Sequence, residues 1–374
     1  MQNKFIEIFG NLGNYVLRQS PKKVLIVGIS IFYIKTGMRG ILPWASFDSV
    51  NNFPKIEESF STYSIGLLSL ANLTRANTEI RYFILNLALL IFLSIIFLLR
   101  LSRHLNSNMS AVLLFLLCLN SPVGVVLAGN IGRHDLLTIF GYIIFFVESK
   151  SKLKYVGVII GLLGSPEHFI VGWVFALILS LALGDKEQIK LSRQALFSSI
   201  TFFIPIFIFV FIQTNSNNRI SNIVTEFEYM QIGIRNWVFS GSLEVYSYFG
   251  IFLPVFLVFC VYFYSVEKKK GLSVALIFFI PTVLNVFIVD KTRDYVIALL
   301  ASAVILIRYQ LQNSDFHQFV SSDLLRKQIM VGYFLIFILL FPSLEITFEG
   351  VPRSPHFWTF SKLIEFCHGS TSIC

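Results

Sequence analysis

The segment IRYFILNLALLIFLSIIFLLR (80–100) constrains this chain more than any other feature, because it is long and apolar enough to cross a bilayer as a helix. Such a crossing needs about 20 mostly apolar residues. Runs of this kind, bounded by charge, recur along the whole chain. They predict eleven spans, near 24–43, 80–100, 108–128, 133–148, 153–167, 168–184, 195–213, 249–266, 271–289, 294–309 and 329–345. The runs 133–148 and 153–167 are short, and read either as two tilted spans or as one re-entrant hairpin. Composition agrees: hydrophobic residues make up 55% of the chain and charged residues 14%, with 40 Phe. Too few polar side chains remain to clothe a water-facing surface. The expected fold is therefore an all-α polytopic membrane protein, one integral domain over 1–374. A disordered chain, a collagen-like fibre, a disulfide-stapled secreted module and a nucleic-acid binder are excluded. No cleavable signal peptide is read in residues 1–23.

Orientation follows from the basic residues. Lys and Arg collect in short turns such as ESKSKLK and VEKKK, and cytoplasmic turns are where such residues accumulate. The amino terminus is then expected in the cytoplasm and the carboxyl terminus outside. The net charge of +9 is accounted for by these anchors and by contact with membrane lipids, not by a polyanion. On this topology the polar features with unusual chemistry share the outer face. They include long loops over about 44–79 and 214–248 and a tail over 346–374. Loops of that length exceed what a connection requires and point to an enzyme or receptor.

Five outer segments hold candidate site residues. TGMRGILPWASFDSV carries Arg39 and Asp48, an acid at the membrane surface suited to general-base work and a cation that can pair with it or grip phosphate. A belt around Trp44 with incidental charges is the plainer reading. The next, GNIGRHDLL, opens a span with Arg133, His134 and Asp135. Charges at a span's rim are costly unless they face a cavity or reach water; a simple Arg133–Asp135 pair is the alternative. In LLGSPEHFIVGW, Glu167 and His168 follow a proline. A carboxylate beside an imidazole, partly desolvated, works as a base or proton relay, whereas Glu167 alone would serve as a favourable acid at a helix start. DKTRD supplies Asp290, Lys291 and Arg293, two of them cations left outside against the usual bias and suited to a diphosphate, unless the turn is merely solvated. The 214–248 loop carries Arg235 among aromatic residues that suit sugar rings, or else forms a surface helix.

Absences narrow the chemistry further. No Walker A motif, dinucleotide fingerprint, HExxH motif or heme attachment motif occurs, and no internal repeat is evident. The four cysteines have no zinc spacing. Cys367 and Cys374 would share an oxidising compartment, where a disulfide is plausible. No cofactor is expected, and a divalent-metal requirement stays open.

The order of these motifs resembles the Wzy/EpsG-type polysaccharide polymerases of bacterial surface glycans. The resemblance rests on Arg39 followed by Asp48, on the Asn-x-x-Arg element NIGRHDLL, and on His168 before an apolar helix. It covers roughly residues 36–180. The Gln and Ala that usually follow the family's Arg are replaced here by His134 and Asp135. The architecture is also similar to the wider GT-C membrane glycosyltransferases, whose first-loop catalytic acid would be Asp48 here, without a paired acid. The resemblance implies polymerisation of polyprenyl-diphosphate-linked repeat units outside the cytoplasmic membrane, as in O-antigen and lipopolysaccharide synthesis. Asp48, Glu167 and His168 would be catalytic. Arg133, Lys291 and Arg293 would hold the diphosphate, with Arg39, Asp135, Asp290 and Arg235 in support. The implied partners are the polyprenyl-linked glycan and a chain-length regulator. Transfer of a single sugar from a polyprenyl-phosphate donor is the nearest alternative, and a lipid-linked glycan flippase the alternative from another class.

Overall fold

The computed structural model describes residues 2–20, 22–27, 30, 50, 65–104, 126, 134–148, 150–213, 230–235, 237–238, 247, 268–284, 291–312, 332, 345–346 and 352–353. These are almost entirely helical. The helices are α1 (Gln2–Arg18), α2 (Ile65–Leu73), α3 (Glu79–His104), α4 (Asp135–Val147), α5 (Ser151–Gly164), α6 (Pro166–Leu183), α7 (Lys186–Gln213), α8 (Lys268–Leu284) and α9 (Lys291–Gln312). Two-residue strands β1 (Glu345–Ile346) and β2 (Pro352–Arg353) pair antiparallel. Among the described residues two helices, α6 and α7, are long and apolar enough to cross a membrane by length and composition.

The helix boundaries follow local chemistry. Proline lacks an N–H and fixes φ, so it suits the first turn of a helix, and α6 opens on Pro166 directly after α5 ends. Gly184 ends α6 in the left-handed region at φ 69°, donating its N–H to the Leu181 carbonyl at 3.2 Å. Asp185 then caps α7, its carboxylate accepting the N–H groups of Glu187 and Gln188 at 2.9 and 3.1 Å. The sequence reading starts the next span at 195. The helix begins nine residues earlier, because this cap nucleates it in the basic stretch. Residues 2–18, read only as polar and basic, form a helix as well.

α4 and α5 make a tight antiparallel hairpin. A Cβ on Gly141 would run into the backbone of Gly161, and one on Gly157 into the backbone of Gly141 and Phe145, so the seam requires residues without side chains. Each helix has 13 or 14 residues and spans only about 20 Å at 1.5 Å per residue. The core is centred on fully buried Trp173 of α6, ringed by Tyr142, Phe145, Phe146 and Phe169 at centroid distances of 4.7 to 6.0 Å. These aromatic contacts advance together along α4 and α6, which therefore run parallel. α9 shares their direction: Ile139 and Val296 lie in one buried cluster with Ile143 and Leu300 packed beside it. α6 joins the same assembly, since a Cβ on its Gly172 would meet Tyr142 of α4 and the Ala298 carbonyl of α9. α8 runs opposite to α9, joined by Tyr295 Oη donating to the Phe278 carbonyl at 2.6 Å and Lys270 Nζ to Tyr309 Oη at 3.3 Å. α2 packs its Gly66 against Leu163 at the end of α5.

Candidate functional site

Because α4, α6 and α9 are parallel, Asp135, Pro166 and Lys291 begin three helices at the same end of the bundle. Each helix start carries unsatisfied N–H groups and the positive end of a peptide dipole. The centre of the cluster is the junction between α5 and α6. Ser165 is 2% exposed, and its N–H donates to Thr138 Oγ1 of α4 at 2.6 Å. Thr138 Oγ1 in turn donates to the Gly161 carbonyl at 3.4 Å. These bonds pin the junction to the first turn of α4, where Gly164 abuts the His134 carbonyl so closely that a Cβ would clash.

Ser165 occupies the N-cap position of α6, yet its hydroxyl makes no cap bond. It lies instead 2.5 Å from His168 Nδ1. The backbone carbonyls of His168 and Phe169 accept from Tyr142 Oη at 3.1 and 2.9 Å. The half-buried imidazole is thus held by a side-chain bond at Nδ1 and by a backbone tied to α4. Glu167 is exposed in the same turn. Asp135 opens α4 as a buried carboxylate, with His134 Nε2 3.6 Å from its Oδ1 and the two side chains 2% and 14% exposed. An acid at a helix start is electrostatically favoured, so Asp135 has a structural reason to be there besides any chemical one.

Of the residues singled out from sequence, the structure brings Asp135, Glu167 and His168 to this end of the bundle. Lys291 and Arg293 join them by the position of their backbone in the first turn of α9. Arg235 is exposed on the helical residues 230–235, and no described contact brings it to the cluster. Asp48, Arg39, Arg133 and Asp290 lie outside the described residues, as do Cys367 and Cys374. Thr138, Tyr142 and Ser165 were not singled out. Ser165 carries a sequence signal, a serine before a helix-opening proline, whereas Thr138 and Tyr142 look like ordinary members of an apolar run. Among the described residues no group of three or more His, Cys, Asp or Glu side chains is gathered to hold a metal ion.

The opposite end of the bundle is different in kind. The starts of α5, α7 and α8 lie at this end with the end of α9, and they carry Lys150, Lys152, Lys154, Lys186, Lys190, Arg193, Lys268, Lys269 and Lys270. The junction of α5 with α7 is marked by Gln194 Nε2 donating to Tyr155 Oη at 3.2 Å. An imidazole, a buried carboxylate and three helix starts therefore occupy one end, and a lysine-rich rim the other. No protein-family model matches this chain, and neither does any curated protein or solved structure.

Proposed function

We propose that this chain is a polytopic membrane glycosyltransferase that polymerises polyprenyl-diphosphate-linked repeat units on the outer face of the cytoplasmic membrane. Eleven spans, with the amino terminus inside and the carboxyl terminus outside, complete that reading. A bilayer as solvent is supported by the inverted pattern of α7. This helix buries Gln188, Ser192, Ala195 and Ser199 while exposing Phe197, Ile200, Ile204, Phe207, Ile208 and Phe211. Water would make such an apolar surface a strong driving force for association. Lipid tails accept it, and small or polar side chains suit the seam between helices.

The observation that carries the catalytic reading is the gathering of His168, Asp135 and three helix starts away from the lysine-rich rim. In the proposed reaction an acceptor sugar hydroxyl attacks the anomeric carbon of the donor glycan. The new C–O bond forms as the bond from that carbon to the diphosphate oxygen breaks, and polyprenyl diphosphate departs. The hydroxyl proton passes to His168 Nε2, while Ser165 holds the ring through Nδ1. The leaving diphosphate is already a good anion, so the site must supply positive potential and not a second acid. Lys291 and Arg293 at the start of α9, Arg133, two residues before α4 in the sequence, and the helix dipoles are its proposed sources. Asp48 and Glu167 are the other candidate bases, and Arg39, Asp290 and Arg235 are assigned supporting roles from the sequence alone.

The test is a gel of surface glycans from a deletion strain complemented with wild type, His168→Ala or Arg293→Ala, with membrane levels matched by immunoblot. The deletion is expected to abolish the ladder while one repeat unit is retained. Both variants should lower the polymer by about 100-fold or more. A normal ladder in the deletion strain overturns the polymerase reading, and a ladder of altered sugar composition indicates single-sugar transfer instead.

A further inference from the structure

We propose that the exposed basic face of α7 is a binding site for the headgroup of an anionic bilayer phospholipid, with an acyl chain lying along the apolar residues below it. The proposal rests on the reading of α7 as a membrane span. Lys186, Lys190 and Arg193 follow one another on a single face and are exposed. With Ile189, Gln194 and Phe197 they line an open cleft of about 460 Å³. Among the described residues no carboxylate pairs with these three cations. Asp185 is engaged as the cap of α7, and Glu187 is exposed on the adjacent face.

Three features fit a lipid better than a free anion. First, the face is built like an amphiphile. Its cationic row continues directly into Phe197, Ile200, Ile204, Ile208 and Phe211, all exposed on the same stripe. Second, the length of α7 puts the row at headgroup depth. The apolar part from Ala195 to Ile212 spans roughly 27 Å, close to the hydrocarbon thickness of about 30 Å, so the two turns before it stand in the interface. Third, the cleft is braced. The Arg193 guanidinium lies 5.6 Å from the Phe197 ring centroid, which holds the cation at the boundary between head and tail. The Gln194–Tyr155 bond fixes α7 against α5, whose Lys152 is exposed at the same end of the bundle. An acidic peptide would satisfy the cations but leave the apolar stripe unmatched.

The test uses the full chain in nanodiscs of mixed phosphatidylcholine and phosphatidylglycerol, with retained lipid counted by native mass spectrometry after release into detergent. Three proteins are compared: wild type, K186Q/K190Q/R193Q, and K268Q/K269Q/K270Q as a charge-matched control at the same end. Wild type should retain phosphatidylglycerol over phosphatidylcholine, the α7 variant should lose that preference by about tenfold or more, and the α8 variant should keep most of it. Equal loss in both variants, or none in either, overturns the proposal. So does displacement by millimolar inorganic phosphate, which would mark a simple anion site. Membrane extraction with alkaline carbonate separates the two levels. Wild type retained in membranes with unchanged lipid preference across the variants sinks the lipid site alone, whereas wild type released from membranes sinks the span reading and the lipid site with it.

Discussion

At Ser165 two partners within the same first turn of α6 compete for one hydroxyl. A serine before a helix-opening proline ordinarily caps the helix, an arrangement whose loss costs about 1 kcal/mol. Here the hydroxyl goes to His168 Nδ1 and the cap bond is forgone. A ring held this way keeps one nitrogen directed towards its task, and misplacement by an ångström can cost about 100-fold in rate. Ser165→Ala is therefore expected to slow transfer in reconstituted membranes by about tenfold or more, with KM for the donor little changed. Ser165→Thr, which restores the hydroxyl, should recover most of the rate. Equal rates for Ser165→Ala and wild type would remove Ser165 from any positioning role. The imidazole and the carboxylates could be picked out from the sequence, because ionisable groups at the rim of apolar runs need a reason to be there. Thr138 and Tyr142 could not, since a hydroxyl in a helix shows its purpose only through the partner across the seam.

At the scale of elements, the α4–α5 hairpin depends on glycines that a hydropathy reading passes over. Gly141, Gly157 and Gly161 let two short helices approach until backbone meets backbone. That close contact also presses the α5–α6 junction onto Thr138. Gly161→Leu is expected to lower the melting temperature in detergent, because overpacking a tight seam costs about 1–3 kcal/mol. The same substitution should impair transfer by moving Ser165. Gly184→Ala is the contrasting case. Nothing lies within 4 Å of a Cβ there, so only the left-handed φ of 69° is penalised. The expected cost is about 1–2 kcal/mol with activity preserved. A larger loss from Gly184→Ala than from Gly161→Leu, read by thermal scanning of both variants, would contradict the packing account of the hairpin. The two short helices were legible as apolar runs and a hairpin was one of two readings of them, but the glycine seam was not, because periodicity says nothing of which neighbour a face will meet.

For the whole molecule, the decisive property is its polarity from end to end. The basic turns gather on one side of the bundle, and His168 and Asp135 on the other. If the bilayer lies across the helices, accessibility should divide accordingly. In a background with Cys118, Cys260, Cys367 and Cys374 replaced, Glu167→Cys is expected to react with a membrane-impermeant maleimide in intact cells. Lys152→Cys and Lys269→Cys should react only after permeabilisation. The reverse pattern would place the candidate site in the cytoplasm and end the proposal of outer-face chemistry.

Composition and charge spacing alone established that the chain is helical and apolar, and that many of its cations cluster between the apolar runs. Both are sums over neighbouring residues, so they survive without knowledge of any distant contact. Tertiary structure decided that α4, α6 and α9 run parallel and so bring three helix starts to one end. It also decided that Thr138 receives the Ser165 amide from 27 residues along the chain. Those outcomes depend on how closely two backbones can approach, which glycine-lined seams permit and no local pattern of hydropathy specifies.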